Sequence, residues 1–376
     1  MRPFSIILLT IFIADILITS VFLKKTELWK NDNWQKKFYR IKSDIYHHDL
    51  MPNIEQFESW GGELKRKIIT NSIGFRDSKQ RIVNKTSEKK RILLIGDSFI
   101  EGSGYDYEYT FAGLLSNKLG DNYEILNSAV ESYSPSIYFK KTQYYLSEGY
   151  EFDHALVFLD VSDIYDELFI NFDNKKNIIA ETPPKEQTLE RKIKNKVYAF
   201  GEILRDYTIT FRFLYLISDK TEQVKNYIKL KIKASKILKK NLLKTSKDDV
   251  IYYRMTHIDR GSWTLNDKKY DEIKPGLKQA DTYLKKLFDL LEENSIKSHL
   301  IIYPWPTQIE FGDEKHQNYW EKFSKLNNIN LINLYNIFIS KDSRKLIFEN
   351  FIYGDVHWNK EGTKKIFNTL IKEIKF

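Results

Sequence analysis

Five short runs of apolar, β-branched or aromatic residues lie at 91–95, 123–127, 154–160, 298–303 and 329–333. Between them, at about 108–119, 135–148, 271–293, 316–326 and 360–374, apolar residues recur at helical spacing. Such runs read as strands, and strands that alternate with helices predict a parallel sheet covered on both sides. In the last helix Ile366, Phe367, Leu370, Ile371 and Ile374 share one face, and Asn359 is placed to cap it.

The first run ends in Gly96-Asp97-Ser98, with further glycines at 102 and 104. A buried strand that stops at such a turn delivers a serine hydroxyl to the rim of the sheet. Asp355 and His357 lie far downstream, two residues apart, in a loop that opens with Gly354. A serine hydroxyl attacks an ester only with a base in reach and an acid to orient that base. In an open parallel sheet such groups gather at the carboxyl ends of the strands. Extended backbone would set the side chains of Asp355 and His357 on one side. Ser98, His357 and Asp355 are thus the candidates for nucleophile, base and orienting acid. The same glycines do not form a phosphate loop, since no lysine follows them, and Gly96 does not begin a Gly-x-Gly-x-x-Gly dinucleotide fingerprint.

A chain of 376 residues, 42% hydrophobic, can hold one large domain with insertions or two modest ones. With no cysteine, disulfides, thiolate metal sites and cysteine nucleophiles are excluded. The net charge of +9 suits an acidic partner or a lysine-rich solvated surface, and no nucleic-acid signature accompanies it. No nucleic-acid partner is therefore expected. His47 and His48 lack a third ligand at metal-binding spacing, and neither a metal nor a cofactor is called for.

Pro3 to Leu23 is almost wholly apolar and long enough to cross a bilayer of about 30 Å, with Lys24 and Lys25 closing it. Asp15 interrupts it, at roughly 2.5–3.5 kcal/mol on the translocon scale. Thr19-Ser20-Val21 is a poor cleavage site, which favours an uncleaved single-pass anchor. Arg2 and Lys24, Lys25 and Lys30 pull in opposite directions on orientation. The expected layout is an anchor over 1–25, a lead-in over 26–88, catalytic parts over 89–170 and 263–376, and a basic helical insertion over 171–262 that follows Pro183-Pro184. In the insertion, Lys225, Lys229, Lys231, Lys233, Lys236, Lys239 and Lys240 interleave with Ile228, Leu230, Ile232, Ile237 and Leu238. That pattern fits an amphipathic helix on an anionic membrane or a solvated lysine face over a packed stripe. Asp163, Asp166 and Glu167 lie past the third strand, where Asp163 is expected to bond loop amides and the other two to meet substrate or start a helix. Trp305, in Tyr303-Pro-Trp-Pro306, either stacks on a sugar ring or plugs the end of the sheet.

Gly96-Asp97-Ser98, Asn127-Ser-Ala-Val-Glu-Ser-Tyr133, Asp160-Val-Ser-Asp163 and Asp355-Val-His357 come in the order of the sequence blocks of the SGNH hydrolases, the GDSL esterase/lipase family, which the chain resembles over roughly 88–170 and 285–376. The resemblance implies a three-layer α/β/α sandwich with a flavodoxin-like sheet, here of five parallel strands. It implies a Ser98–His357–Asp355 triad, with an oxyanion hole from the Ser98 N–H, Ser132 and Ser162. Ser132 stands where the family has glycine, and Ser162 where it has asparagine; losing a good oxyanion donor lowers turnover about 10²–10³-fold. The Asp-x-His-Trp spacing looks like that of alginate-type O-acetyltransferases and their envelope relatives, and Asn71-Ser-Ile-Gly-Phe-Arg-Asp77 and Tyr303-Pro-Trp-Pro306 resemble segments of membrane-anchored members of the family. The expected function is that of an anchored, extracytoplasmic serine esterase or O-acyltransferase acting on acyl, most simply acetyl, esters of a carbohydrate or cell-envelope glycan, without a cofactor. The alternative is a catalytically weak SGNH-fold protein that binds or assembles glycan.

Overall fold

The computed structural model describes residues 3–21, 39–60, 64–179, 200–201 and 203–376. They fall in two compact units, one of residues 38–181 with 251–376, the other of 1–37 with 182–250. Lys24, Lys25, Lys30 and Pro183-Pro184 lie outside the described residues.

The larger unit holds strands β1 (Arg40–Ser43), β2 (His47–Leu50), β3 (Glu55–Trp60), β4 (Leu64–Ile69), β5 (Lys90–Ile95), β6 (Tyr123–Asn127), β7 (His154–Leu159), β8 (Asn171–Phe172), β9 (Ile178–Ile179), β10 (Lys297–Ile302) and β11 (Leu331–Asn333). Five of them form one sheet in the order β11-β10-β7-β5-β6, every neighbouring pair parallel. Leu94, Leu156, Val157, Phe158, Leu300 and Ile301 from its central strands are buried, as strands covered on both faces require. The chain leaves β5 for β6 on one side and returns past β5 to β7. The right-handed crossover rule then puts the helix Phe111–Leu119 on one face and Pro135–Ser147 on the other. The helix Asp267–Glu293 packs on Pro135–Ser147, and Lys360–Glu373 packs on Phe111–Leu119. The β5/β7 boundary is where strand order reverses, the place at which open α/β sheets bind ligands.

The helices begin where capping chemistry permits. Tyr107–Tyr109 is a 3-10 turn, so the helix expected from 108 starts only at Phe111, after Thr110 accepts the Gly113 N–H. Asn266 caps the helix Asp267–Glu293, which starts four residues before the expected 271. Asn359 accepts the N–H groups of Glu361 and Gly362, as its position suggested.

The lead-in contains structure that its polar composition concealed. β1 pairs with β2 and β3 with β4, both antiparallel. Arg40, Glu58 and Arg66 of these strands face inward, toward the turn that follows Ser98. Arg66 donates to Glu58 at 2.8 Å, to Glu101 at 3.1 Å and to the Gly102 carbonyl at 2.6 Å. Arg40 grips the Glu101 carboxylate through two bonds of 2.7 and 3.0 Å. Arg76, from the 71–77 loop, donates to the carbonyls of Glu101, of Gly102 at 2.7 Å and of Tyr105 at 2.5 Å. Burial alone would raise the Glu101 carboxyl, but Arg40, Arg66 and the Glu131 N–H outweigh it and hold it well below the usual carboxylate range. Removing one member of such a group strands its buried partners. Glu101→Ala is expected to destabilise the protein by about 3–5 kcal/mol, read as a lower midpoint in chemical denaturation.

The smaller unit includes the helix Pro3–Val21 and the helix Ile209–Ile237, which carries Lys225, Lys229, Lys231, Lys233 and Lys236. Among the described residues no helix is long and apolar enough to cross a membrane, so the span expected at the amino terminus is not shown. The insertion also differs from the expected 171–262: its first and last residues belong to the larger unit, where Tyr252, Met255 and Trp263 join the core.

Candidate active site

Ser98 opens a single helical turn, Ser98–Glu101, directly after β5. Asp97 caps the turn by accepting the Phe99 N–H at 3.0 Å, and Gly102 closes it with φ +87°. A side chain at Gly102 would be strained at that φ and would meet Thr110 at 2.2 Å.

The loop that carries the acid and the base is closed on itself. Ile352 N–H donates to the His357 carbonyl at 2.8 Å, Asp355 N–H donates to Ile352 at 2.9 Å, and Gly354 supplies φ +81°. This is a bend rather than the extended segment the spacing suggested. Asp355 and His357 still share a side, because Asp355 Oδ1 accepts the backbone N–H of His357 at 3.1 Å and lies 2.5 Å from its ring Nδ1. The other ring nitrogen, Nε2, is 2.8 Å from Ser98 Oγ. With Nδ1 donating to the carboxylate, Nε2 is left to accept the serine proton. Burial would raise the Asp355 carboxyl, but His357 and an N–H from Trp60 hold it well below its ordinary range. Ser98 and His357 are 7% and 9% exposed, so the pair is nearly dry yet reachable from the rim.

Trp60, at the end of β3, carried no signal in the sequence. Its Nε1–H donates to Asp355 Oδ2 at 3.0 Å, and its ring stands edge-on to His357 with centroids 5.0 Å apart. Each oxygen of Asp355 is thereby fixed. A hydrogen bond to a charged group contributes about 1.5–3 kcal/mol. Trp60→Phe keeps the ring and deletes the donor; kcat on an activated ester is expected to fall about 10–100-fold with KM little changed.

Behind the serine, Asp97, Asp160 and Asp163 bring carboxylate oxygens close enough to hold a metal ion, the one such group among the described residues. Protein donors already occupy most of them. Asp160 accepts the N–H groups of Ser162 and Asp163 and the Trp305 indole N–H, and Asp163 accepts the Asp160 N–H and the Tyr138 hydroxyl. Burial, then repulsion from Asp160, holds the carboxyls of Asp97 and Asp163 well above their usual range. The Ser98 hydroxyl has two acceptors in reach, Asp97 Oδ2 at 3.0 Å and His357 Nε2 at 2.8 Å, and attack on an ester requires its proton to go to the imidazole.

Other candidates fall differently. Trp305 is 3% exposed and spends its N–H on Asp160 at 3.1 Å, so it plugs the sheet end and presents no face for a sugar. Glu167 is buried and accepts from the backbone and hydroxyl of Ser136 and from Gln279, which makes it an internal anchor rather than a substrate contact. Ser132 is exposed and takes φ +65°, the left-handed backbone that favours glycine. Ser162 is buried, with its hydroxyl 3.4 Å from the Arg260 guanidinium. Arg260, which the sequence did not single out, also pairs with Asp166. His47 and His48 lie with Nδ1 atoms 2.7 Å apart, and His48 Nε2 bonds the Glu131 carbonyl.

No known family's profile matches the chain, and no curated protein does. Solved structures similar to it include that of TesA (10% identity, 76% of this chain and 98% of that one, TM-score 0.38). A putative lipolytic protein of the G-D-S-L family from Desulfitobacterium hafniense DCB-2 is similar at 10% identity over 76% of this chain and 99% of its own, TM-score 0.38. The psychrotrophic esterase EstA from a Pseudoalteromonas species follows at 11% identity, 76% and 98% coverage and TM-score 0.33.

Proposed function

We propose that the chain is an SGNH-type serine esterase or O-acyltransferase that takes acyl groups, most simply acetyl, from esters of a carbohydrate or cell-envelope glycan. The observation that supports this most is the continuous run of contacts from Asp355 through His357 to Ser98, 2.5 and 2.8 Å, at the carboxyl end of β5 beside the sheet's reversal point. In this reading Ser98 Oγ attacks the acyl carbonyl carbon while His357 Nε2 takes its proton. The tetrahedral oxyanion is met by the Ser98 N–H, the backbone at Ser132, and Ser162 with the Arg260 guanidinium beside it. His357 then protonates the departing sugar alkoxide, and Ser98 keeps the acyl group until water or a second sugar hydroxyl removes it.

The glycan preference rests on the Asp-x-His-Trp resemblance, and a membrane-tethered, extracytoplasmic placement on the apolar amino terminus. The deciding experiment incubates the full chain with p-nitrophenyl acetate and with an O-acetylated polysaccharide, with and without a non-acetylated acceptor. Release of acetate, or its appearance on the acceptor, is expected. Binding of the polysaccharide with neither release nor transfer would replace the enzyme with the glycan-binding alternative, which the serine at position 162 favours.

A further inference from the structure

Asp15 has a partner that its sequence context did not suggest. Its carboxylate accepts the backbone N–H groups of Ile209 at 2.7 Å and Thr210 at 3.1 Å, the first two residues of the helix Ile209–Ile237. Thr19, one turn on, also reaches it at 3.3 Å. An acidic side chain within an apolar helix thus sits on the positive end of a second helix and satisfies N–H groups that have no intrahelical acceptor. The capped end is itself apolar. Ile209, Phe211, Phe213, Leu214, Leu216 and Ile217 are all exposed, and the run 213–217 covers every direction around the helix. An exposed surface that is apolar all round suits a hydrocarbon solvent and not water. Ile7, Leu9, Ile11, Ile13, Leu17 and Ile18 of the helix Pro3–Val21 are exposed in the same way. Arg212, the one charged residue between 209 and 218, is only part-exposed.

We propose that these two helices form a single membrane-inserting unit, with Asp15 capping the second helix inside the apolar phase of an anionic lipid bilayer. In hydrocarbon the partners relieve each other, since a charge there costs about 2.5–3.5 kcal/mol on the translocon scale and each unmet N–H several more. The apolar stretch of the second helix ends at Asp219 and Lys220. That is about 15 Å from its start at 1.5 Å per residue, half of a hydrocarbon core of about 30 Å. The second helix therefore enters one leaflet and need not cross. Beyond it, exposed Lys225, Lys229, Lys233 and Lys236 match anionic headgroups. None of this depends on the esterase reading.

Because the chain has no cysteine, single labels are clean. Full-length variants Leu214→Cys, Ile11→Cys and, as a control in the larger unit, Ser87→Cys would carry an environment-sensitive fluorophore in phosphatidylcholine/phosphatidylglycerol vesicles. The labels at 11 and 214 are expected to be blue-shifted, quenched by doxyl lipids and several-fold less quenched by iodide than the label at 87. Adding Asp15→Leu is expected to return the label at 214 to water while the label at 11 stays buried. A label at 214 that behaves like the one at 87, or that stays buried despite Asp15→Leu, overturns the proposal. Equal binding to pure phosphatidylcholine vesicles would overturn its anionic part.

Discussion

Ser98→Ala is expected to lower kcat on an activated acetyl ester by about 10⁴–10⁶-fold, with KM nearly unchanged. Only the hydroxyl group is removed. Ser98 lies one residue past the cap of a short turn whose closure depends on Asp97 and Gly102, and alanine keeps that turn. The Glu101, Arg66 and Arg76 contacts that hold the turn from behind do not involve the hydroxyl. The variant should therefore unfold at the wild-type denaturant concentration, which separates lost chemistry from lost fold. Stopped-flow or endpoint assays of p-nitrophenol release check the first part, and a denaturation curve checks the second. A loss below tenfold would mean that another group accepts the acyl chain.

Asp355→Asn is the second large effect. The amide has nearly the shape of the carboxylate, but its NH₂ would face His357 Nδ1 where an acceptor now sits 2.5 Å away. The ring would then hold its proton on Nε2, toward Ser98, and could no longer take one from the hydroxyl. A loss of about 10⁴ in kcat is expected for such a tautomer switch. The substitution also has a signature in stability. The folded Asp355 carboxyl lies below its usual range, so its charged form stabilises the fold above the unfolded value of about 3.9, and that stabilisation is lost as pH falls through the folded value. Between neutral pH and about pH 4 the wild type should be the more stable, and the difference should shrink at lower pH. Denaturation midpoints of the two proteins across that range test the sign.

The sheet was legible because its strands are buried on both faces. Runs such as Ile92–Ile95 and Ala155–Leu159 are apolar without alternation, and hydropathy reads them within a residue or two of their ends. The lead-in hairpins were not legible, for a physical reason. β3 and β4 bury Glu58 and Arg66 against each other and against Glu101, and hydropathy assigns such residues to solvent. At the site, Ser98 could be singled out because a turn follows a buried strand, and Asp355 with His357 because of their spacing. Trp60 could not, since its partner lies 295 residues away and one tryptophan in a polar stretch carries no pattern. Trp305 illustrates the reverse error. An aromatic just past a strand looks like a platform for ligand, but the nearby Asp160 offers its indole a buried acceptor, and the side chain turns inward. Asp15 was readable only as an expense within an apolar helix; its capped partner lies 194 residues further on.

The claim on which the functional account rests is that Ser98 becomes acylated. Intact-mass analysis of the full chain after a fluorophosphonate probe, followed by peptide mapping, tests it most directly. One adduct per chain is expected, on the peptide containing Ser98, absent from Ser98→Ala and strongly slowed in Asp355→Asn. An unmodified mass under conditions that label a control serine esterase, or an adduct that persists in Ser98→Ala, would contradict it.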